Sequence, residues 1–157
     1  MLLRKKFTCM LALSLAVSFI LFLCVSAEAQ PKSVRLSIAT GGTGGVYYPL
    51  GGGMASVISR YIPNTEVTAE VTAGSVDNCK LLQTGKADLA IIMADIGHDA
   101  LKGLERFKAG AIPLRTIAVI YSNYMHFVTR DGSGINSVSD MKGKRISTGS
   151  PGSGTEV

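Results

Sequence analysis

VRLSIATGGTGGVYYPLGGG, residues 34–53, opens with an alternation that turns apolar, passes through a glycine-rich turn and ends in helix-forming residues. The alternation over residues 34–40 suits a strand entering a buried sheet. The helical stretch covers roughly residues 50–61 and is stopped by Pro63. Working outward, EVTAEVT (residues 66–72) alternates strictly and reads as a second strand. Ala73, Gly74 and Ser75 then turn the chain. Ser75 is placed to cap a helix over residues 76–84, with Val76, Leu81 and Leu82 as its apolar positions and Gly85 as its stop. DLAIIMA (residues 88–94) is a short continuous apolar run, the pattern of a strand buried on both faces. A less regular helical segment, residues 96–107, leads to TIAVIY (residues 116–121), which reads as another buried strand. Strand and helix alternate, so the expected fold is α/β, with a mostly parallel sheet flanked by helices.

Beyond Tyr121 the pattern changes. HFVTR (residues 126–130) is strand-like and Asp131, Gly132, Ser133 and Gly134 mark a turn. A short helix capped by Ser137 is expected over residues 137–141, with RIST (residues 145–148) as the next strand. That strand runs into GSPGSGTEV, leaving about one turn for a following helix, too little to offset its own nucleation.

The two glycine-rich turns form a weak repeat: IATGGTGG (residues 38–45) and ISTGSPGSGT (residues 146–155). In each, a strand delivers glycines and hydroxyls towards a helix start, where close backbone approach and unpaired N–H groups favour anionic or carboxylate oxygens. Ligands of open α/β sheets sit beyond the carboxyl ends of the strands. Neither turn is a nucleotide site. Thr155 stands where a phosphate-cradling loop needs Lys, and Tyr47 where a dinucleotide-binding turn needs its third glycine.

The stretch that precedes this unit reads as an export signal, so the unit is expected outside the cytoplasm. The 157 residues carry a formal charge of +5 and a mean hydropathy of +0.30, but residues 1–29 differ in kind from the rest. Arg4, Lys5 and Lys6 precede an almost purely apolar run over residues 9–25, and Ala27 and Ala29 occupy the −3 and −1 positions of a secretory cleavage site. Cleavage after Ala29 would leave Gln30 first; an uncleaved membrane anchor is the competing reading. The remainder holds 13 basic and 10 acidic side chains, a net of +3, together with all 18 glycines. Plentiful aliphatic residues and the lack of a glycine period exclude collagen-like and disordered classes. Cys9 and Cys24 lie in the leader. Cys79 is therefore the one cysteine of the exported part, read as a small buried helix residue and unable to form an internal disulfide.

Four stretches carry a family resemblance: TGGTGGVYYPLGG (residues 40–52), TAGSVDNCKLLQTGKADLAI (72–91), HFVTRDGSGINSVSDMKGKRIS (126–147) and GSPGSGTEV (149–157). Together they resemble, in order, the TAXI family of TRAP-transporter solute receptors, which are similar to type II periplasmic binding proteins. The resemblance implies two α/β lobes closing over an amino acid or carboxylate such as glutamate, glutamine or an oxoacid. The solute then passes to the membrane permease subunits of a TRAP transporter that draws on an ion gradient. It implies ligand contacts from Gly42, Thr43, Gly44, Tyr47 and Tyr48, from Gly74 and Ser75, and from Asp95 in the third loop. Ser150, Gly152, Ser153 and Thr155 would be the second lobe's contribution. In the third loop the family's usual Gln-Ser-Asp reads Met93-Ala94-Asp95, so two polar contacts are replaced. The same resemblance divides the chain into a signal peptide (1–29), a first ligand-binding lobe (30–127) and a crossover with the truncated start of a second lobe (128–157), an N-terminal fragment of a longer receptor.

Other chemistry is poorly supplied. His98 and His126 lack a nearby Cys or paired acid, so no metal is expected, and no cofactor. Lys142, Lys144 and Arg145 form a small basic cluster without interleaved aromatics, which argues against nucleic acid. No nucleophile elbow, paired carboxylates or Cys/His arrangement is present, so the expected function is binding, not catalysis. Three alternatives stay open: a receptor of the same fold serving an ATP-driven importer of sulfonate-like anions, an exported hydrolase or transferase using the glycine-rich turns as anion holes, and a membrane-anchored remnant that binds nothing.

Overall fold

The computed structural model describes residues 32–157. The leader, its cleavage site, Cys9 and Cys24 lie outside the described residues. Three parallel strands make the sheet: β1 (Val34–Ala39), β2 (Thr65–Glu70) and β3 (Leu89–Ala90), in the order β2-β1-β3. β1 and β2 pair along their whole length, from Val34 opposite Thr65 to Ala39 opposite Glu70. β3 pairs with β1 only at Ile38–Leu89 and Ala39–Ala90. The alternation of β2 holds: Val67 is buried, Thr65 and Ala69 are half-buried, and Glu66, Thr68 and Glu70 face out. Arg35 and Glu66 pair across the strands at 3.2 Å, but both are exposed and the contribution is small.

The chain leaves β1 in one direction along the sheet and returns past it to β3. Right-handed crossovers therefore put the two connecting helices on opposite faces. The first connection is α1 (Tyr47–Tyr61). It begins three residues before the expected position because Pro49 falls in the first helical turn, where a missing N–H breaks no intrahelical bond. It ends before Pro63, with the N–H of Ile62 donating to the carbonyl of Ile58 at 2.9 Å. Leu50, Met54 and Ile58, spaced by four, pack with Ala55 over Ile38, Val67 and Ile91. Ile38 is fully buried there, which stabilises the fold by roughly 1.5–3 kcal/mol. Gly51 lets this helix approach β1, since a Cβ at that position would collide with the Thr40 methyl group.

The second connection is α2 (Ser75–Gln83), and α3 (Ala94–Lys102) follows β3. Val76 and Cys79 of α2 and Ile96 and Ala100 of α3 form a second core with Phe107 and Ile112. Gly103, at φ +68°, closes α3 in the left-handed conformation that glycine adopts without strain. The expected helix over residues 96–107 is therefore two pieces: α3, and a separate 3-10 turn, Glu105–Phe107, that puts Phe107 into the core. Ser75 does not cap α2. It is the first helical residue, Gly74 takes the cap position, and the Ser75 hydroxyl accepts a hydrogen bond from the Met93 N–H at 3.0 Å.

Three expected strands are not formed. Residues 116–121, 126–130 and 145–148 carry no ladder, and Ile117, Val119 and Val128 are 82%, 88% and 87% exposed. The expected buried strand over residues 88–94 is likewise cut to Leu89–Ala90, because the chain turns into α3 at Ala94. An apolar run becomes a strand only where a neighbouring edge offers hydrogen bonds, and a two-residue β3 offers little edge. The short helix near residue 137 does form, as the 3-10 turn Val138–Met141. Its capping box pairs the Ser137 hydroxyl with the Asp140 backbone and the Asp140 carboxylate with the Ser137 N–H. Residues 149–157 contain turns but no helix.

Candidate functional site

All three strands point their carboxyl ends at one edge of the sheet, and the loops that leave them carry the residues singled out in the sequence. The floor of this edge is organised by Asn78. Its side-chain N–H groups donate to the carbonyls of Thr40 at 2.7 Å, Ile91 at 2.8 Å and Ala39 at 3.4 Å, and its oxygen accepts from the Thr72 hydroxyl at 2.6 Å. One fully buried amide thus joins the ends of β1 and β3 to the loop after β2. Thr40 completes the join by donating its hydroxyl to the carbonyl of Glu70 at 2.6 Å. Reading the sequence missed Asn78. Its signal was a polar residue between Val76 and Cys79 on an otherwise inward-facing helix.

Above this floor the structure brings together Tyr47, Gly74, Ser75, Asp95, Gly152 and Ser153. The Tyr47 phenol is pushed above its ordinary pKa by burial, with the Tyr121 and Asp95 charges adding to the rise and a hydrogen bond with Ser75 opposing it. Tyr47 is half-buried, packed against the first core beside Gly41. Ser75 is buried; Asp95 is exposed at the start of α3. Gly74 sits at φ +119°, and a Cβ there would come within 3.2 Å of the Ser153 Cα. The Gly42, Thr43 and Gly44 turn is exposed. It is closed by the Gly45 N–H donating to the Gly42 carbonyl at 2.9 Å, and it adjoins the β2 loop through the Thr72 N–H and the Gly41 carbonyl at 3.4 Å. Tyr48 is half-buried, while Ser150 and Thr155 are exposed at the surface, the Ser150 carbonyl accepting from the Ser153 N–H at 2.9 Å. His98 and His126 are both exposed.

The first N–H groups of α2 already hold an oxygen. The carbonyl of Gly152 accepts from Val76 at 3.0 Å and from Asp77 at 3.4 Å. Such a helix start carries orphan donors and a positive dipole end, so it suits an acceptor oxygen from any source. Beside it runs an open groove of about 520 Å³, lined by Val76, Asp77, Lys80, Arg106, Gly152 and Glu156. Its charges balance, two cations against two carboxylates. Arg106 and Glu156 are paired at 3.0 Å.

Cys79, fully buried in the second core, has its thiol pushed up to about 11 by burial, so it is protonated and unreactive near neutrality. Among the described residues no three His, Cys, Asp or Glu side chains cluster as metal ligands. Among them, too, no helix is long and apolar enough to cross a membrane.

A model of the NMT1-like family, periplasmic binding proteins of the sulfonate- and nitrate-binding type, matches residues 38–157. The match takes in the end of β1, all of β2 and β3, the buried residues of both core clusters and both glycine-rich turns. It supports the solute-receptor part of the TAXI resemblance without reaching its TRAP-specific part. An α/β sheet with its glycine-bearing loops at one carboxyl edge agrees with that match, and the chain belongs to the NMT1-like family of solute-binding proteins.

Proposed function

We propose that this chain is the extracytoplasmic receptor of an importer for small sulfonate-like anions, with the solute's oxygens taken by backbone N–H groups at the carboxyl edge of the sheet. The observation that carries the reading is the start of α2, where two consecutive N–H groups converge on one acceptor oxygen. The family's link to ATP-driven sulfonate and nitrate importers favours this partner over a TRAP permease. Ser75 and Tyr47 supply hydroxyls beside those donors, and the exposed Gly42, Thr43 and Gly44 turn supplies further backbone donors across the edge. Residues 30–127 act as one lobe, and the segment from 128 onward contributes to a second that closes over the solute. In this reading the chain binds its solute and does no chemistry on it.

A second reading, an amino-acid or carboxylate receptor of the TAXI type, is favoured by the balanced charges of Lys80, Arg106, Asp77 and Glu156 around the groove. That lining suits a zwitterion better than a simple anion. Calorimetric titration with ethanesulfonate, nitrate and glutamate separates the two. Saturable binding of ethanesulfonate, weakened by Ser75→Ala, is expected. Binding of glutamate alone would replace the first reading by the second, and no binding of any of the three would overturn both.

A further inference from the structure

The oxygen held by α2 belongs to the chain itself. Gly152, at φ +86°, directs its carbonyl at the Val76 and Asp77 N–H groups, and a Cβ there would lie 3.6 Å from that of Ala73 and 3.8 Å from that of Asp77. Two residues on, Gly154 passes so close to Met93 that a Cβ would collide with its sulfur, and it would stand 3.2 Å from the Ser75 hydroxyl. The glycines of this turn are therefore what lets it enter the edge of the sheet. Glu156 fastens it: one carboxylate oxygen accepts from Arg106 at 3.0 Å and the other from the Gly152 N–H at 3.4 Å. Arg106 is itself anchored, because its neighbour Phe107 is buried in the second core. One contact in the seated turn is poor. The Ser153 hydroxyl is buried and makes no hydrogen bond among the described residues, a cost that disappears when the turn leaves.

We infer that residues 150–156 form a displaceable latch, in which the Gly152 carbonyl occupies the donors of α2 until a solute oxygen replaces it. This rests on the solute-receptor reading for its ligand, though not for its geometry. A receptor whose competent state is only partly populated binds with an apparent affinity reduced by that fraction. Loosening the latch must then tighten solute binding. The ion pair is the part to loosen, since it is half-exposed and can be removed without touching the core.

Hydrogen exchange at single amides tests the latch without any ligand, in the full chain and in Glu156→Gln and Arg106→Gln. Exchange at Val76 and Asp77 is expected to rise by about threefold in both variants, the scale of a partly exposed ion pair. The Asn78 N–H, which donates to the Gly74 carbonyl at 2.8 Å within the helix, keeps its rate. Ethanesulfonate should bind the variants tighter by a similar factor. Unchanged exchange at Val76 and Asp77 overturns the latch. Faster exchange with unchanged or weaker ethanesulfonate binding overturns its competition with solute. Faster exchange with no ethanesulfonate binding to any of the three proteins overturns the solute reading instead.

Discussion

Asn78 holds three backbone carbonyls and a threonine hydroxyl in a fully buried position, so its loss strands several polar groups at once. Each unsatisfied buried acceptor costs about 1–3 kcal/mol. Asn78→Ala is therefore expected to destabilise the chain by about 2–4 kcal/mol in urea denaturation; a loss below about 1 kcal/mol would mean that water replaces the amide without cost. At this scale the sequence was only partly legible. Tyr47, Gly74, Ser75, Asp95, Gly152 and Ser153 do converge, because glycines and hydroxyls after strands mark the places where backbone must approach closely. Asn78 was not legible, because a polar residue on a helix is ordinarily solvated, and only the geometry of three loop ends shows its amide to be enclosed. Ser75 is not the cap that its position after Gly74 suggests. Its hydroxyl has a better acceptor role towards the Met93 N–H from the third loop.

Among the elements, those with a local cause were readable and those with a distant cause were not. α1 and α2 follow from their apolar spacing and their Pro and Gly stops, and β1 and β2 follow from alternation and mutual pairing. Residues 116–121 have as good a strand pattern as β1, yet no edge receives them; pairing is a property of two segments and cannot be read from one. α2 also carries a pH dependence. Its Cys79 thiol is pushed from 9.0 up to about 11 by burial, so the folded chain retains a proton that the unfolded chain releases. The stability from this site is complete below pH 9 and is lost as pH rises through 11. Chemical denaturation from pH 8 to 11 should show a steeper alkaline decline in the parent chain than in Cys79→Ala. Parallel declines would place the thiol in contact with solvent.

For the whole molecule, a small parallel sheet collects donors from three loops at one edge, and the second glycine-rich turn sits against them. The family match to residues 38–157 covers both the donors and that turn. Strand-to-helix glycine turns make such an edge legible in sequence. The docking of residues 150–156 onto α2 was not, since nothing local pairs Gly152 with Val76. The proposed anion site joins the start of α2 to the Gly42–Gly44 turn. Titrating the isotope-labelled chain with ethanesulfonate while following its amide resonances tests this directly. Saturable, parallel shifts are expected at Gly42, Gly44, Ser75, Val76 and Asp77. Shifts confined to surface cations such as Lys142 and Lys144, or none at all, would contradict it.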